Sequence, residues 1–231
     1  MAGKEERVEG RLRARPAATS GAGPVGLRPL ELGGARDGYA YVPPTYDAER
    51  PAPLVVLLHG AGEDARDGLA LLRAQADEAG LILLAPSSLE YTWDLLVSRR
   101  YGSDVTALDR ALEHVFSRYA VDTTRIAVGG YSDGASYALS LGITNGDLFT
   151  DVLAFSPGFV APNIRRVGSP RIFVSHGTRD RWLPVDRCSR VIVPRLQSAG
   201  YEVCYREFEG GHVVPPEIAL GAVCWFVAER G

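Results

Sequence analysis

Two short runs of this chain are apolar at nearly every position, which narrows the folds open to it. Residues 53–58 read Pro-Leu-Val-Val-Leu-Leu and residues 81–85 read Leu-Ile-Leu-Leu-Ala. A strand without polar alternation is buried on both faces, as the central strands of a parallel sheet are. Residues 69–79 carry a helical spacing of apolar side chains between the two runs. The segment therefore predicts a strand–helix–strand unit.

The same alternation continues to the end of the chain. Further strands are predicted at residues 37–42, 125–128, 152–155, 171–175 and 202–208, and helices at 104–119 and 216–228. The strand at 37–42, closed by Pro43 and Pro44, is expected at an edge of the sheet. Strands and helices at this spacing predict an α/β fold: a doubly wound, mostly parallel sheet with helices on both faces and no large cap domain.

The first 26 residues fit this alternation least. Residues 10–15 suggest an edge strand, and residues 16–26 are a loop of Ala, Thr, Ser, Gly and Pro. Residues 21–26 match the glycine fingerprint of dinucleotide sites, but they neither follow a convincing strand nor open a helix, so we reject a nucleotide site. We predict an N-terminal extension over residues 1–26 and one α/β domain over residues 27–231.

Composition excludes several classes of protein. The 231-residue chain has a net charge of −3, with 46% hydrophobic and 23% charged residues, which is ordinary for a globular protein. No basic run indicates a nucleic-acid partner, and no apolar stretch is long enough for membrane insertion. The charged residues 1–15 lack the apolar core of a secretion signal, so we expect a cytoplasmic protein. Cys188, Cys204 and Cys224 fit no metal spacing, so we expect reduced thiols and no metal.

One pentapeptide carries most of the chemical information. Residues 130–134 read Gly-Tyr-Ser-Asp-Gly, between the apolar strand at 125–128 and a segment rich in small residues at 135–141. A strand, a sharp turn and a helix in that order place the serine hydroxyl at the apex of the turn, above the sheet. Glycines on both sides avoid a Cβ clash at this turn. Ser132 is therefore the candidate nucleophile.

The partners that such a serine needs lie at two later strand ends. Serine attacks an ester efficiently only when an imidazole takes its proton and a carboxylate orients that imidazole. Asp180 follows the strand at 171–175, and His212 follows the strand at 202–208. The carboxyl ends of parallel strands meet at one edge of a sheet, where functional residues gather. We therefore predict a catalytic triad of Ser132, Asp180 and His212.

Other acids and histidines rank below these three. Asp186 is expected in a helix and Asp151 at the start of a strand, so both remain only alternative acids. His176 ends a strand and is expected to support the acid loop, whereas His114 lies inside a helix. A histidine base must be neutral to act, so activity is expected to fall at acid pH.

The loop after the first buried strand is the candidate oxyanion hole. Negative charge builds on the carbonyl oxygen during attack, and two fixed backbone N–H groups stabilise it there. The amide of Asp133 should be one donor, at the start of a helix whose dipole helps. The amide of Ala61 should be the other, on the loop His-Gly-Ala-Gly at residues 59–62. His59 is then expected to brace that loop.

These motifs together resemble the α/β-hydrolase superfamily, and more narrowly the phospholipase/carboxylesterase group of small serine esterases, which overlaps the dienelactone-hydrolase-like and polyhydroxybutyrate-depolymerase-like families. The similarity extends over about residues 38–226. It implies a serine-hydrolase mechanism through the three triad residues, with no metal or organic cofactor. Dienelactone hydrolases usually carry cysteine where this chain has Ser132. Acyl-protein thioesterases often carry glutamine at the position of Asp133, so neither substrate class is favoured.

Substrate contacts are expected from the loops around these residues. Only about fifteen residues, 156–170, separate two predicted strands where many lipases insert a lid, so we expect an open site for soluble esters. Residues 87–103 form a long loop after a strand end. The candidate substrate-binding residues are Tyr91, Trp93, Phe159, Trp182 and Val213.

The sequence thus predicts a cofactor-independent serine carboxylesterase acting on small to medium esters through an acyl-enzyme. Alternatives are a lysophospholipase or thioesterase, and a feruloyl- or polyester-type esterase. A peptidase usually adds a propeller or cap domain that is not predicted here. The non-enzymatic alternative is a ligand-binding protein with a hydrolase fold, which typically lacks a triad member.

Overall fold

The computed structural model describes residues 10–17, 23–33, 36–162 and 164–229. Eight strands form one sheet with the spatial order β1-β2-β4-β3-β5-β6-β7-β8. The strands are β1 (Gly26–Pro29), β2 (Tyr39–Val42), β3 (Ala52–Leu58), β4 (Ile82–Ala85), β5 (Val121–Tyr131), β6 (Asp151–Phe155), β7 (Arg171–Gly177) and β8 (Val203–Phe208).

Seven α-helices connect or follow these strands in the described residues. They are α1 (Ala65–Ala70), α2 (Ala76–Ala79), α3 (Asp94–Ser98), α4 (Ser103–Phe116), α5 (Asp133–Thr144), α6 (Ser189–Ser198) and α7 (Pro216–Val227). Short 3₁₀ turns occur at Arg73–Gln75 and Val185–Arg187. Within the described part of the chain, every helix is too short or too polar to cross a bilayer.

Strand direction confirms the predicted sheet. β1 and β2 are antiparallel to each other, and β2 is antiparallel to β4. Every other neighbouring pair is parallel. The register sets Leu58 of β3 beside Gly130 of β5, and Phe155 of β6 beside Tyr131. The ends of β3, β5 and β6 therefore lie side by side, which is where the site is built.

Helices cover both faces of the sheet, as the doubly wound arrangement requires. On β3, Leu54, Val56 and Leu58 face the core formed with α4, α5 and α6. Val55 and Leu57 face the second core, formed with α1, α2 and α7. All five side chains are fully buried. Burial of both faces explains why this strand has no polar alternation.

The edge of the sheet differs from the prediction. β2 is not an edge strand, because β1 pairs along its outer side. The predicted strand at residues 10–15 is also wrong, since residues 11–17 pair with no strand. The amide of Leu12 bonds the side chain of Asn145 instead, at 2.8 Å. Side-chain acceptors thus take the place of a neighbouring strand, which sequence periodicity does not reveal.

The predicted helix at 69–79 is broken into shorter pieces. α1 ends at Ala70, a 3₁₀ turn follows, and α2 then runs only from Ala76 to Ala79. Gly80 ends α2 in the left-handed region, at φ 64°. The apolar spacing still buries Leu69, Leu72 and Ala76 in the second core. The sequence therefore correctly predicts which side chains face the core, but it does not predict the breaks in the helix.

Candidate active site

Ser132 occupies the turn between β5 and α5. Its backbone has φ 57° and ψ −116°, a conformation that non-glycine residues rarely adopt. Its amide donates to the carbonyl of Phe155 at the end of β6, at 2.9 Å. The strained turn is therefore fixed to the neighbouring strand, and the side chain is aimed at the carboxyl edge of the sheet.

The glycines on either side of this turn are needed for close packing. A Cβ at Gly130 would lie 2.5 Å from the carbonyl carbon of Gly134, and one at Gly134 would lie 2.1 Å from the carbonyl oxygen of Leu58. Both distances are below any real carbon contact, so α5 approaches β3 and β5 only because these side chains are missing.

The structure brings the three predicted triad residues together. His212 Nε2 lies 2.8 Å from Ser132 Oγ, and His212 Nδ1 lies 2.5 Å from Asp180 Oδ2. The hydroxyl can donate to Nε2 while the Nδ1 proton is donated to the carboxylate. Both distances are in the hydrogen-bond range, so proton transfer between Ser132 and His212 needs no rearrangement of these side chains. The three residues come from loops after β5, β7 and β8.

Asp180 is held in position by its own loop. Its other carboxylate oxygen, Oδ1, accepts from the amides of Trp182 and Leu183, each at 2.9 Å. The residue is 6% exposed. The alternative acids lie elsewhere: Asp151 is paired with Arg171 at the opposite end of the strands, and Asp186 is paired with Arg190 on the surface.

His176 supports the acid loop, as its position at a strand end suggests. Its Nε2 lies 2.7 Å from the carbonyl of Leu183, which can only accept, so Nε2 carries the proton. Its Nδ1 lies 2.7 Å from the hydroxyl of Ser189. Burial lowers the pKa of His176, so the ring is neutral at neutral pH. Nε2 also lies 3.3 Å from Asp180 Oδ2, the oxygen that His212 contacts.

Tyr131 makes a contact with the base that the sequence reading did not anticipate. Its hydroxyl donates to the backbone carbonyl of His212 at 2.5 Å. Its ring lies 4.8 Å from the imidazole, centroid to centroid. Tyr131 stands directly before the nucleophile, so one backbone position sets the locations of both serine and base. Tyr131 belongs to the Gly-Tyr-Ser-Asp-Gly motif, so the sequence already places an aromatic hydroxyl next to the nucleophile.

The loop after β3 leaves the amide of Ala61 free. No described residue accepts from that amide, whereas Gly60 donates to Glu63 Oε2 at 2.8 Å and Gly62 donates to Tyr91 at 2.8 Å. Burial raises the pKa of Glu63. The amide of Asp133 starts α5 and has no partner one turn earlier within the helix. Both predicted oxyanion donors are therefore available in the structure.

His59 braces this loop through both of its ring nitrogens. Its Nδ1 lies 2.7 Å from the carbonyl of Gly60 and therefore carries the proton, and its Nε2 accepts from the amide of Ser88 at 3.0 Å. The side chain is fully buried, and burial lowers its pKa. Both ring nitrogens are thus committed to backbone partners.

The five predicted substrate contacts have different outcomes. Trp93 is fully buried between His59 and Tyr137, and its Nε1 donates to the carbonyl of His59, so its prediction as a substrate contact is wrong. Its burial follows from the helix α3 that closes the loop, which the sequence did not predict. Exposed apolar side chains at the same edge are Tyr91, Trp182 and Val213. Phe159 lines a cavity of about 730 Å³ beside α5.

Within the described residues, no group of three or more His, Cys, Asp or Glu side chains is arranged to hold a metal ion. The cysteines are unpaired: Cys188 is buried, Cys204 is partly buried and Cys224 is exposed.

Solved structures share this architecture. Esterase PE8 superposes with a TM-score of 0.68 and 26% identity, covering 81% of this chain and 96% of that chain. The chain is an α/β-hydrolase. A phospholipase/carboxylesterase from Dyadobacter fermentans has the same fold, with a TM-score of 0.57 and 22% identity over 79% of this chain and 93% of that chain. No protein-family model matches this α/β-hydrolase.

Two curated fungal proteins are similar over part of their length. A feruloyl esterase B from Talaromyces stipitatus is 30% identical over 131 residues, which are 53% of this chain and 36% of that protein. An acetylxylan esterase from Coprinopsis cinerea is 30% identical over 106 residues, which are 42% of this chain and 28% of that protein. The α/β-hydrolase therefore matches about a third of each relative.

Proposed function

We propose that this α/β-hydrolase is a serine esterase that cleaves carboxylic esters through an acyl-enzyme. The observation that carries the proposal is the hydrogen-bonded chain from Ser132 through His212 to Asp180. The esterase names of the similar proteins support it. The same three residues are the proposed catalytic residues, with Asp180 as the acid and His212 as the base.

Acylation begins when Ser132 Oγ attacks the ester carbonyl carbon. The serine proton moves to His212 Nε2, and the carbonyl electron pair moves onto oxygen. We assign the resulting oxyanion to the amides of Ala61 and Asp133, where two preorganised donors contribute several kcal/mol. Collapse of this intermediate expels the alcohol, which takes the proton from His212. The acyl group then remains bound to Ser132.

Deacylation repeats these steps with water as the nucleophile. His212 takes a proton from the water, whose oxygen attacks the acyl carbon. The second oxyanion forms against the same two amides, and Ser132 leaves as it regains its proton from His212. Asp180 stabilises the imidazolium that forms in both halves of the reaction and holds its tautomer. The products are one carboxylic acid and one alcohol.

The substrate we favour is a soluble ester of small to medium size, since no cap covers the site in the described residues. A feruloyl-type ester is the second candidate, and the name of one similar protein is the observation that favours it. A p-nitrophenyl ester series from acetate to palmitate, run beside methyl ferulate, separates these substrate classes.

Substitution of the triad tests the proposed function directly. Ser132→Ala should abolish both turnover and labelling by a fluorophosphonate probe. Asp180→Asn should lower kcat by about 10³- to 10⁴-fold, because the imidazole loses its tautomer and its counter-charge. Asp186→Asn is the matched control, since this exposed acid is paired with Arg190 and should leave kcat within about twofold.

Two results would contradict the proposal. Labelling that persists in Ser132→Ala would place the nucleophile elsewhere. A folded protein that hydrolyses none of these esters and takes up no probe would favour the ligand-binding alternative.

A further inference from the structure

The cavity lies between two segments that are hydrogen-bonded to α5 near the nucleophile turn. One of its walls is α3 with the residues that follow it, and the other is the segment after β6. Thr92, just before α3, donates to Asp133 Oδ2 at 2.8 Å. On the opposite side, Gly158 donates to the hydroxyl of Ser136 at 2.9 Å, and that hydroxyl bonds the carbonyl of Ser132. Both walls are thus attached within one helical turn of the nucleophile.

The second attachment points lie one turn further along α5. Tyr137 bonds Asp94 at 3.3 Å, and Ser140 accepts from the amide of Ala161 at 2.9 Å. The eight residues from Ser132 to Ser140 advance by about 12 Å of helix. Ala161, whose amide bonds Ser140, lines the cavity, so the cavity lies within the reach of a medium-length chain bound at Ser132. Its volume of about 730 Å³ is in the range of small-molecule sites.

The lining of this cavity combines apolar side chains with positively charged ones. Leu95, Leu96, Phe159, Val160 and Ile164 contribute aliphatic and aromatic surface. Three arginines, Arg99, Arg100 and Arg165, line the same cavity and are exposed to solvent. No acidic side chain is found among the described residues that line it. Apolar walls favour a hydrocarbon or aromatic group, and guanidinium groups favour a carboxylate or phosphate.

We propose that this cavity binds the part of the substrate beyond the scissile ester, and that this part is an apolar chain or ring ending in an anionic group. The inference rests on the proposed esterase function for its link to catalysis. Binding by the cavity itself does not depend on turnover. The preferred substrates are then esters that carry a carboxylate or a phosphate at the far end of an apolar segment.

Hydrogen bonds between α3 and α4 brace one wall of the cavity. The amide of Asp94 donates to Asp104 Oδ2 at 2.7 Å, and the amide of Asp104 donates to Asp94 Oδ2 at 3.0 Å. This reciprocal pair fixes the start of α3 to the start of α4. Little conformational entropy then remains to be lost when a ligand enters.

Calorimetric titration with a matched pair of ligands tests the binding. Octanoate and octanamide have the same chain length and differ in charge at one end. Octanoate should bind the wild-type protein at least about tenfold more tightly than octanamide at low salt, and the preference should fall as salt screens the exposed arginines. The triple variant Arg99→Gln, Arg100→Gln, Arg165→Gln should bind both ligands equally. Arg166→Gln, next to the cavity in sequence but not in its lining, is the control and should keep the preference.

Octyl phosphate, titrated in parallel, tells a phosphate-bearing chain from a carboxylate-bearing one. Tighter binding of either anion than of octanamide supports the proposal when the triple variant abolishes it. Equal binding of all three ligands, or a preference that survives in the triple variant, overturns it.

A kinetic comparison links the cavity to the reaction. The monoanionic p-nitrophenyl hydrogen suberate should be hydrolysed with a kcat/KM about tenfold above that of neutral p-nitrophenyl octanoate, and the triple variant should remove this ratio. A ratio near one for the wild type would overturn the link to substrate choice. Absence of turnover on both esters with intact octanoate binding would count against the esterase function and leave the binding proposal standing.

Discussion

Ser132 and Tyr131 are adjacent in sequence and contact His212 in different ways, one at the imidazole and the other at the backbone carbonyl. Ser132 adopts a backbone conformation with positive φ, which costs on the order of 1–3 kcal/mol and persists only when its surroundings impose it. Tyr131, the last residue of β5, stays in regular strand geometry. Its hydroxyl reaches the backbone of His212, so the same strand end positions both the nucleophile and the base.

The contact of Tyr131 predicts a loss in rate and not in binding. Tyr131→Phe removes one hydrogen bond worth about 0.5–1.5 kcal/mol, so kcat should fall about two- to tenfold while KM changes by less than about twofold. Steady-state kinetics on p-nitrophenyl acetate measures both constants. Tyr41→Phe on β2, which removes the hydroxyl that donates to Asp77 on α2, is the control. Equal effects of the two substitutions on kcat would show a general loss of stability and exclude a positioning role.

The segment from β4 to α4 behaves as a single braced element. The buried carboxylate of Asp104 and the half-buried carboxylate of Asp94 hold the starts of α3 and α4 through backbone amides. Asp104 Oδ1 also accepts from the amide of Leu89. Burial, together with the nearby charges of Asp94 and Glu90, raises the pKa of Asp104 to about 6, although the two backbone amides that it accepts from lower it. Burial raises the pKa of Asp94 as well. The brace therefore holds a proton more tightly in the folded protein than in the unfolded chain.

Linkage gives the sign of the resulting pH dependence. A raised carboxyl pKa stabilises the fold most below the unfolded pKa near 3.9, and this contribution is lost as the pH rises through about 6. The free energy of unfolding of the wild type minus that of Asp104→Asn should therefore be about 2 kcal/mol larger at pH 4.5 than at pH 7.5.

Urea unfolding at the two pH values measures this difference. Glu113→Gln removes one negative charge from the exposed side of the same helix and serves as the control. Parallel stability curves for the wild type and Asp104→Asn would contradict the raised pKa.

At the scale of the whole molecule, residues 10–15 pack on the α4–α5 side of the fold. Leu12 and Ala14 are buried in the core with these helices. Asp109 on α4 accepts from the amide of Ala14 at 3.0 Å, and Asn145 donates to the carbonyl of Gly10 at 2.8 Å. The ion pairs of Arg11 and Arg15 with Asp147 lower the pKa of that carboxyl well below its usual range. Residues 10–15 therefore contribute stabilising contacts near the end of α5 that is far from Ser132.

This separation predicts a change in stability without a change in catalysis. Leu12→Ala should lower the free energy of unfolding by about 2–3 kcal/mol, since a buried aliphatic side chain is lost from a packed core. Leu27→Ala, on the exposed edge strand β1, should lower it by less than about 0.5 kcal/mol. Urea unfolding measures both values.

Both variants should keep the wild-type kcat/KM on p-nitrophenyl acetate at 25 °C. Asn145 lies thirteen residues along the chain from Ser132, at the far end of α5, which is about 20 Å of helix. A loss of activity in folded Leu12→Ala would show that the extension acts on the site.

Much of the fold could be predicted from the sequence because its signals are local. The continuous apolar run of β3 indicates burial on both faces of the sheet. The two glycines of the Gly-Tyr-Ser-Asp-Gly motif indicate a turn in which a Cβ at either position would clash. Since parallel strands place their carboxyl ends at one edge, the positions of Asp180 and His212 after β7 and β8 were enough to predict their meeting.

Features that depend on contacts distant in sequence were decided only by the tertiary structure. Residues 10–15 have the composition of a strand, but side chains of α4 and of the turn after α5 satisfy their amides. Trp93 is an aromatic residue on a loop near the site, as many substrate contacts are, but it is buried between His59 and Tyr137. The cavity brings Arg99 and Arg165 together from segments more than sixty residues apart. Local pattern fixes which backbone a segment prefers, whereas burial and hydrogen-bond partners are properties of the folded whole.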